Sequence, residues 1–324
     1  MINGNKCNDR NRSRRAARQD GVSHLTDWRK QTVYHDLSQR ETKVLLETMQ
    51  PKLIRLMQRE EKESVMLPFS VYRCLQPQNL HGVPFIDPCL IIVLRGAKVL
   101  SLQPELACRS GEFILAPAGI ELQFMNLPEG EYIAVVIGFC ASDLEAIPVS
   151  APPDRDGAAI ARVDRTLAEF LNQWINWIDV SPPELWALRR KELAHLLYAR
   201  GYGSLLKSRS GASWRRKVSE VLMQEPAKDW SLLEISRLLA VSESTLRRRL
   251  QSENAGFRDL LESVRLGIGL HLAQTTLLPI AHIADQCGYQ SQSRFTERFK
   301  QRFGMTPSEL RQTRLEELGE GILT

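Results

Sequence analysis

Two short stretches carry side chains whose types and spacing suit contact with base edges. In Ser242-Glu-Ser-Thr-Leu-Arg-Arg-Arg-Leu250, Leu246 and Leu250 lie four apart, as the buried face of a helix would. Ser244, Arg247 and Arg248 then project outward, and arginine's fork matches the O6/N7 edge of guanine. In residues 291–303, Phe295 and Phe299 repeat that inner spacing, which turns Gln292, Ser293, Arg294 and Glu297 outward. Thr296 and Lys300 flank that face and suit phosphate contacts, as do the helix N-termini at Ser242 and Ser291. A solvated charged face is the plain alternative for the three arginines.

Other chemistry finds little support. The six cysteines form no C-x-x-C pair and no zinc spacing, and four lie in apolar runs where a free thiol acts as a small hydrophobe. Glu112 and Glu121 are acids on paper, with a surface role as the plain alternative. No catalytic residue, metal or cofactor is expected.

Each outward face needs a helix pair behind it. Before the first, Ser231 and Glu234 read as a capping box ahead of Leu232, Ile235 and Leu239, with Ala240 and Val241 in the turn. Before the second, Pro279 suits a first turn, Ile280, Ile283 and Ala284 share a face, and Gly288 makes the turn. Ser236 and Ala240 stand 48 residues before Ala284 and Gly288, places where bulk would push two helices apart. Phe257 to Ala273 is predicted to be a connecting helix of about 25 Å. Thr306, Pro307 and Glu309 announce a further helix as N-cap, first position and N3. Two helix-turn-helix units joined by a rod follow, each with its second helix offered to a major groove.

The ungapped run G-Y-x-S-Q-S-x-F-x-x-x-F-K-x-x-F-G-x-T-P-S-E-L-R, residues 288–311, resembles the C-terminal signature of AraC/XylS-family transcriptional regulators. That resemblance implies a sequence-specific regulator of transcription, an activator, not an enzyme. It implies double-stranded DNA and RNA polymerase as partners, a homodimer, and control by an N-terminal effector domain. It also implies base contacts at the outward positions named above. Glu297 stands where the family commonly has arginine, and Gly269, with Gly267 nearby, stands where it usually has alanine. Glycine costs about 1 kcal/mol in a helix interior, so a softer rod is expected.

Charge is distributed accordingly. Residues 212–315 hold sixteen Lys/Arg against eleven Asp/Glu, whereas residues 31–211 hold nineteen against twenty-one. A basic block beside a near-neutral one fits a DNA-binding domain attached to one that is not. Residues 1–30, with eight Lys/Arg against three Asp/Glu, read as a disordered basic tail, a solvated one or an arm touching DNA. Residues 316–324 read as an acidic tail. No signal peptide or membrane span is visible, so a cytoplasmic, nucleoid-associated protein is expected.

The middle of the chain divides into 31–150, a sensor barrel, 151–206, a helical dimerisation segment, and 207–213, a linker to the DNA-binding domain at 214–315. A short helix over Thr42 to Arg59, interrupted near Pro51, leads into the barrel. The runs VYRCL, CLIIVLRG, KVLSLQ, GEFILAP, ELQFM and EYIAVVIGF read as strands. Gly111 to Gly119 is similar to the cupin G-(D/E)-hydrophobic-P-x-G turn, which implies a cupin-like barrel with flanking helices before the all-α domain. Catalytic cupins bind metal through paired histidines, but only His81 occurs between Val71 and Phe139, and Leu122 stands where one would follow the turn. A cupin enzyme with a DNA-binding tail is the remote alternative. The effector is left open between a small molecule and a protein. Ile160, Val163, Leu167, Phe170, Trp174 and Trp177 recur at steps of three and four over a helix from Ile160 to Ile178. They read either as a dimer seam or as one helix laid on its own barrel.

Overall fold

The computed structural model describes residues 39–59, 67–102, 105–149, 157–207 and 213–314. The readings of the basic and acidic tails lie outside these, as does most of the linker.

Helix α1 (39–59) runs unbroken through Pro51, so the expected interruption is absent. Among the described residues nine strands follow: β1 Ser70–Cys74, β2 Gln78–Phe85, β3 Cys89–Arg95, β4 Ala97–Leu100, β5 Leu106–Arg109, β6 Glu112–Ala116, β7 Ile120–Leu127, β8 Tyr132–Gly138 and β9 Ala159–Arg162. The barrel expected from the strand pattern is not closed. The strands form a five-stranded sheet ordered β1-β8-β3-β6-β9 and a four-stranded sheet ordered β2-β7-β4-β5. Strand β2 escapes the sequence pattern because it contains Gly82 and Pro84. Its register on β7 slips between Leu80 and Val83, and Gly82 has a positive φ of 52° there, a bulge that re-aims the strand.

The helices are α2 Arg165–Trp177, α3 Trp186–Leu197, α4 Gly203–Leu206, α5 Trp214–Gln224, α6 Leu232–Leu238, α7 Glu243–Ser252, α8 Phe257–Thr275, α9 Ile280–Gln286, α10 Gln292–Phe303 and α11 Pro307–Gln312. The helix expected from Ile160 begins only at Arg165, behind an Asp164 N-cap that accepts from the Leu167 amide. Ile160 instead lies in β9, opposite Ile114. A three-four spacing of apolar residues cannot tell a short strand such as Ala159–Arg162 from a first helical turn.

Alternation along the central strands separates two cores. Leu90, Ile92 and Leu94 of β3 face α1, α2 and α3, in one cluster with Leu53, Leu167, Phe170 and Trp174. Leu167, Phe170 and Trp174 are thus buried against their own chain, the arrangement of a helix laid on its own sheet, with Val163 also buried and Trp177 exposed. Cys89, Ile91 and Val93 face the other way, into a cluster that holds Leu266, Leu270, Ile283, Phe295 and Phe299. This second core is built jointly by the sheets and by α8, α9 and α10. A third core, with Val218, Leu222, Ile235, Leu246, Leu250 and Leu260, belongs mainly to α5 to α8.

Candidate nucleic-acid interface and the cavity behind it

Both helix pairs are set by local chemistry. Ser231 and Glu234 close a capping box on α6, and Thr306 and Glu309 close one on α11 with Pro307 at its first turn. Pro279 is the N-cap of α9, one place before its expected position. The two turns match: the Val241 amide donates to Ser236 O at 3.0 Å, and the Tyr289 amide to Ala284 O at 2.9 Å. The residues before them, Ala240 and Gly288, take positive φ of 53° and 73°. At Gly288 a Cβ would come within 2.9 Å of the Ala227 backbone, so glycine is required there and alanine suffices at 240.

Ser242 and Ser291 serve as N-caps, their hydroxyls accepting from the Thr245 and Arg294 amides at 3.2 and 3.3 Å. Leu246, Leu250, Phe295 and Phe299 are buried as the spacing requires. Ser244, Arg247, Arg248, Gln292, Ser293, Arg294 and Glu297 are all exposed, as is Lys300, with Thr296 half-buried. Arg247 pairs with Glu243 at 2.8 Å, an exposed bond of little strength that a base edge can replace. Glu297 has no cation within ion-pair reach among the described residues.

Two further arginines on α10, which the outward-facing pattern leaves out, hold the helix in place. Arg298 pairs with Glu262 of α8 through both carboxylate oxygens. Arg302 donates to Gly82 O at 3.0 Å and to Glu121 at 2.7 Å, tying α10 to the four-stranded sheet. Glu121 is therefore a structural ion-pair partner. The rod α8 runs without a break for 19 residues, about 28 Å at 1.5 Å per residue. Its glycines are packing positions: a Cβ at Gly269 would lie 2.7 Å from the Phe295 ring, and one at Gly267 would lie 3.3 Å from Pro84. A helix with its glycines wedged against neighbours is held rather than soft.

Behind α8 lies a cavity of about 390 Å³, bounded by both sheets, α5 and α8. Its walls are mostly apolar, with Phe85, Ile91, Phe124, Ile268 and Leu270 among them. Lys98 of β4 enters it, only 4% exposed. Its Nζ donates to Asn126 Oδ1 at 2.5 Å and lies 3.3 Å from the centre of the Phe124 ring. Burial lowers the Lys98 pKa to about 7. Around it, burial pushes the thiols of Cys74, Cys89 and Cys108 up to about 12, so they stay neutral. His271, whose Nδ1 lies 3.1 Å from the Tyr72 hydroxyl, has its pKa lowered by burial. Asp87, the one carboxylate on the wall among the described residues, is held by Arg216 at 2.8 Å.

Lys98 leads into a line of buried side chains. Asn126 Nδ2 donates to Gln78 Oε1 at 2.9 Å, and Gln78 Nε2 donates to Thr313 Oγ1 at 2.7 Å. The Thr313 carbonyl accepts from the Leu75 and Gln76 amides at 2.7 and 3.2 Å, so the β1–β2 turn is clipped to the end of α11. Lys98, Asn126, Gln78 and Thr313 were not singled out by the sequence pattern. A lysine sharing strand parity with buried Leu100 is the one local signal. Nothing local joins Gln78 to Thr313, 235 residues away.

Comparison with known proteins agrees with this arrangement. Residues 235–313 match the family model described as a helix-turn-helix domain. Over 94 residues the chain is 36% identical to the urease operon transcriptional activator of Escherichia coli, covering 29% of this chain and 32% of that protein. Over 95 residues it is 34% identical to the HTH-type transcriptional regulator GadX of Escherichia coli strain K12, covering 29% of this chain and 35% of that one. The matched part thus spans about a third of the length of these relatives. Among solved structures, ToxT from Vibrio cholerae superposes with a TM-score of 0.57 at 18% identity, over 76% of this chain and 98% of that one. Wild-type ToxT bound to an unsaturated fatty acid gives 0.56 at 16% identity, over 76% of this chain and 94% of that one. These structures share the fold, an N-terminal β-sheet domain with flanking helices before a helical domain. With its two matched turns, its outward basic faces and the relatives it resembles, the C-terminal part of this chain is a helix-turn-helix domain.

Proposed function

We propose that this chain is a sequence-specific DNA-binding regulator of transcription, an activator, governed by its N-terminal domain. The observation that carries the reading is the pair of capped helices α7 and α10. They present Ser244, Arg247 and Arg248, and Gln292, Ser293, Arg294 and Glu297, from one rigid rod. Arg247 and Arg248 read base edges; Thr296, Lys300 and the capped N-termini at Ser242 and Ser291 seat phosphates. The protein acts as a homodimer in contact with RNA polymerase. Its dimer surface includes exposed Trp177 rather than the buried part of α2.

The effector is a small molecule held between the sheets and α8. The mostly apolar cavity supports this over a protein effector, as does the shared fold with ToxT, one structure of which holds an unsaturated fatty acid. Binding-site selection with the full chain tests the regulator reading. On the selected site Arg248→Ala weakens binding by about 1–3 kcal/mol, with a smaller loss on scrambled DNA. Equal losses on both would make Arg248 a phosphate contact, and failure to select any sequence would sink the reading.

A further inference from the structure

The charged form of a lysine buried in an apolar cavity calls for an anion, and none is supplied by the described residues. The ion pairs among them do not include Lys98, and Asp87 is committed to Arg216. Asn126 accepts one of the three ammonium protons, and the face of Phe124 attracts the charge. A second group in the same cavity is also incomplete. The Tyr132 hydroxyl is buried without a hydrogen-bond partner, and the Tyr132 ring centre lies 5.6 Å from Lys98 Nζ. Buried hydroxyls and charges rarely stay unsatisfied without a functional reason. Both are donors on the lining of the same cavity, which is otherwise mostly apolar.

The other side of Lys98 is equally specific. Asn126, Gln78 and Thr313 are each 6% exposed or less, and every link between them is a side-chain hydrogen bond of ordinary length. The line ends on the residue whose carbonyl clips the β1–β2 turn to α11. An Asn126 carboxamide that loses its ammonium donor must find another, and turning to do so takes its Nδ2 from Gln78. Gln78 then has reason to leave Thr313. A change of state at Lys98 thus has a continuous path to the helix that closes the second helix-turn-helix unit.

We propose that Lys98 and Tyr132 bind the carboxylate of a ligand with an apolar body, and that the Asn126–Gln78–Thr313 line carries its arrival to the DNA-binding domain. The inference rests on the cavity being the effector site, and it adds the head group and the route. An anion on Lys98 also favours the charged ammonium, so the lowered pKa described above rises on binding.

The test uses the full chain, oleate below its micelle concentration as probe, and oleyl alcohol as its uncharged counterpart. Wild type binds oleate, and its operator Kd shifts at least fivefold. Lys98→Met loses at least tenfold in oleate affinity while its oleyl alcohol affinity stays within twofold. Thr313→Val, which removes only the end of the line, binds oleate as wild type does, but its operator Kd shifts less than twofold. Asn126→Leu does the same where it folds. A full shift in Thr313→Val overturns the route, and equal losses of acid and alcohol in Lys98→Met overturn the carboxylate anchor. Absence of oleate binding by wild type overturns the ligand class and the small-molecule reading with it. A ligand-free measurement tests the route separately. Hydrogen exchange at the Leu75 and Gln76 amides, which donate to Thr313, becomes faster in Lys98→Met. Unchanged protection there overturns the route whatever the cavity holds.

Discussion

Replacing Lys98 by methionine should make the protein more stable at neutral pH and remove a pH dependence. The folded-state pKa of Lys98 lies at about 7, lowered from 10.5 by burial. Between those two values the unfolded chain binds a proton that the folded chain does not, so unfolding free energy rises with pH across that window. Below about pH 7 both states hold the proton, and the full cost of burying the charge applies. At 1.36 kcal/mol per pH unit, a displacement from 10.5 to about 7 corresponds to roughly 5 kcal/mol. Methionine fills nearly the same volume and carries no charge, so Lys98→Met removes that cost. It also strands Asn126 Oδ1, which loses its Lys98 donor, at about 1–3 kcal/mol. The net expectation is a gain of roughly 2–4 kcal/mol at pH 6. That gain should shrink as pH rises and reverse near pH 10, where the folded-state lysine is neutral and the remaining burial cost falls below that of the stranded Asn126 oxygen. Urea unfolding of both proteins at intervals from pH 6 to 10 measures this. The buried thiols of Cys74, Cys89, Cys108 and Cys287, with pKa values near 12, act in the opposite sense above about pH 9. Below about pH 9 they stay protonated in both states of both proteins, so over that range the difference curve isolates Lys98. A difference that is flat with pH, or a variant less stable than its parent at pH 6, would refute the reasoning.

Glu297→Ala should tighten binding to arbitrary DNA and narrow the gap between the operator and variants of it at one base pair. The carboxylate is exposed among basic neighbours with no ion-pair partner in the described residues, and its favourable major-groove contact is a donor such as cytosine N4. Binding-site selection on both proteins decides it, and identical preferences would make Glu297 a bystander. Gly269→Ala should destabilise the fold by about 1–2 kcal/mol despite alanine's better helix propensity. The added methyl meets the Phe295 ring at 2.7 Å, and that ring is fully buried beside Tyr289 and Phe299. An unchanged or raised unfolding midpoint would show that the ring yields.

What the sequence determined by itself is the part governed by neighbours within a few turns of chain. Serine caps three residues before a capped amide, phenylalanines four apart and a capping box around Pro307 act over distances shorter than one helix. They placed α6, α7, α9, α10 and α11, and the outward faces of α7 and α10 follow from them. The same local patterns failed where two readings share a spacing. Ile160 fits a helical stripe and a strand equally, and pairing with Ile114 decided for the strand. Gly269 reads locally as a flaw in a rod, but the Phe295 ring occupies the place of its missing side chain. Tertiary structure alone decided that the two sheets do not close, and that alternate residues of β3 serve two cores, one of them shared with the second helix-turn-helix unit. It also decided that Lys98 sits in an apolar cavity at the head of a line of buried amides ending at Thr313. Charge burial and hydrogen-bond completion depend on what packs around a residue from distant parts of the chain, and no spacing along the sequence encodes a contact across 235 positions.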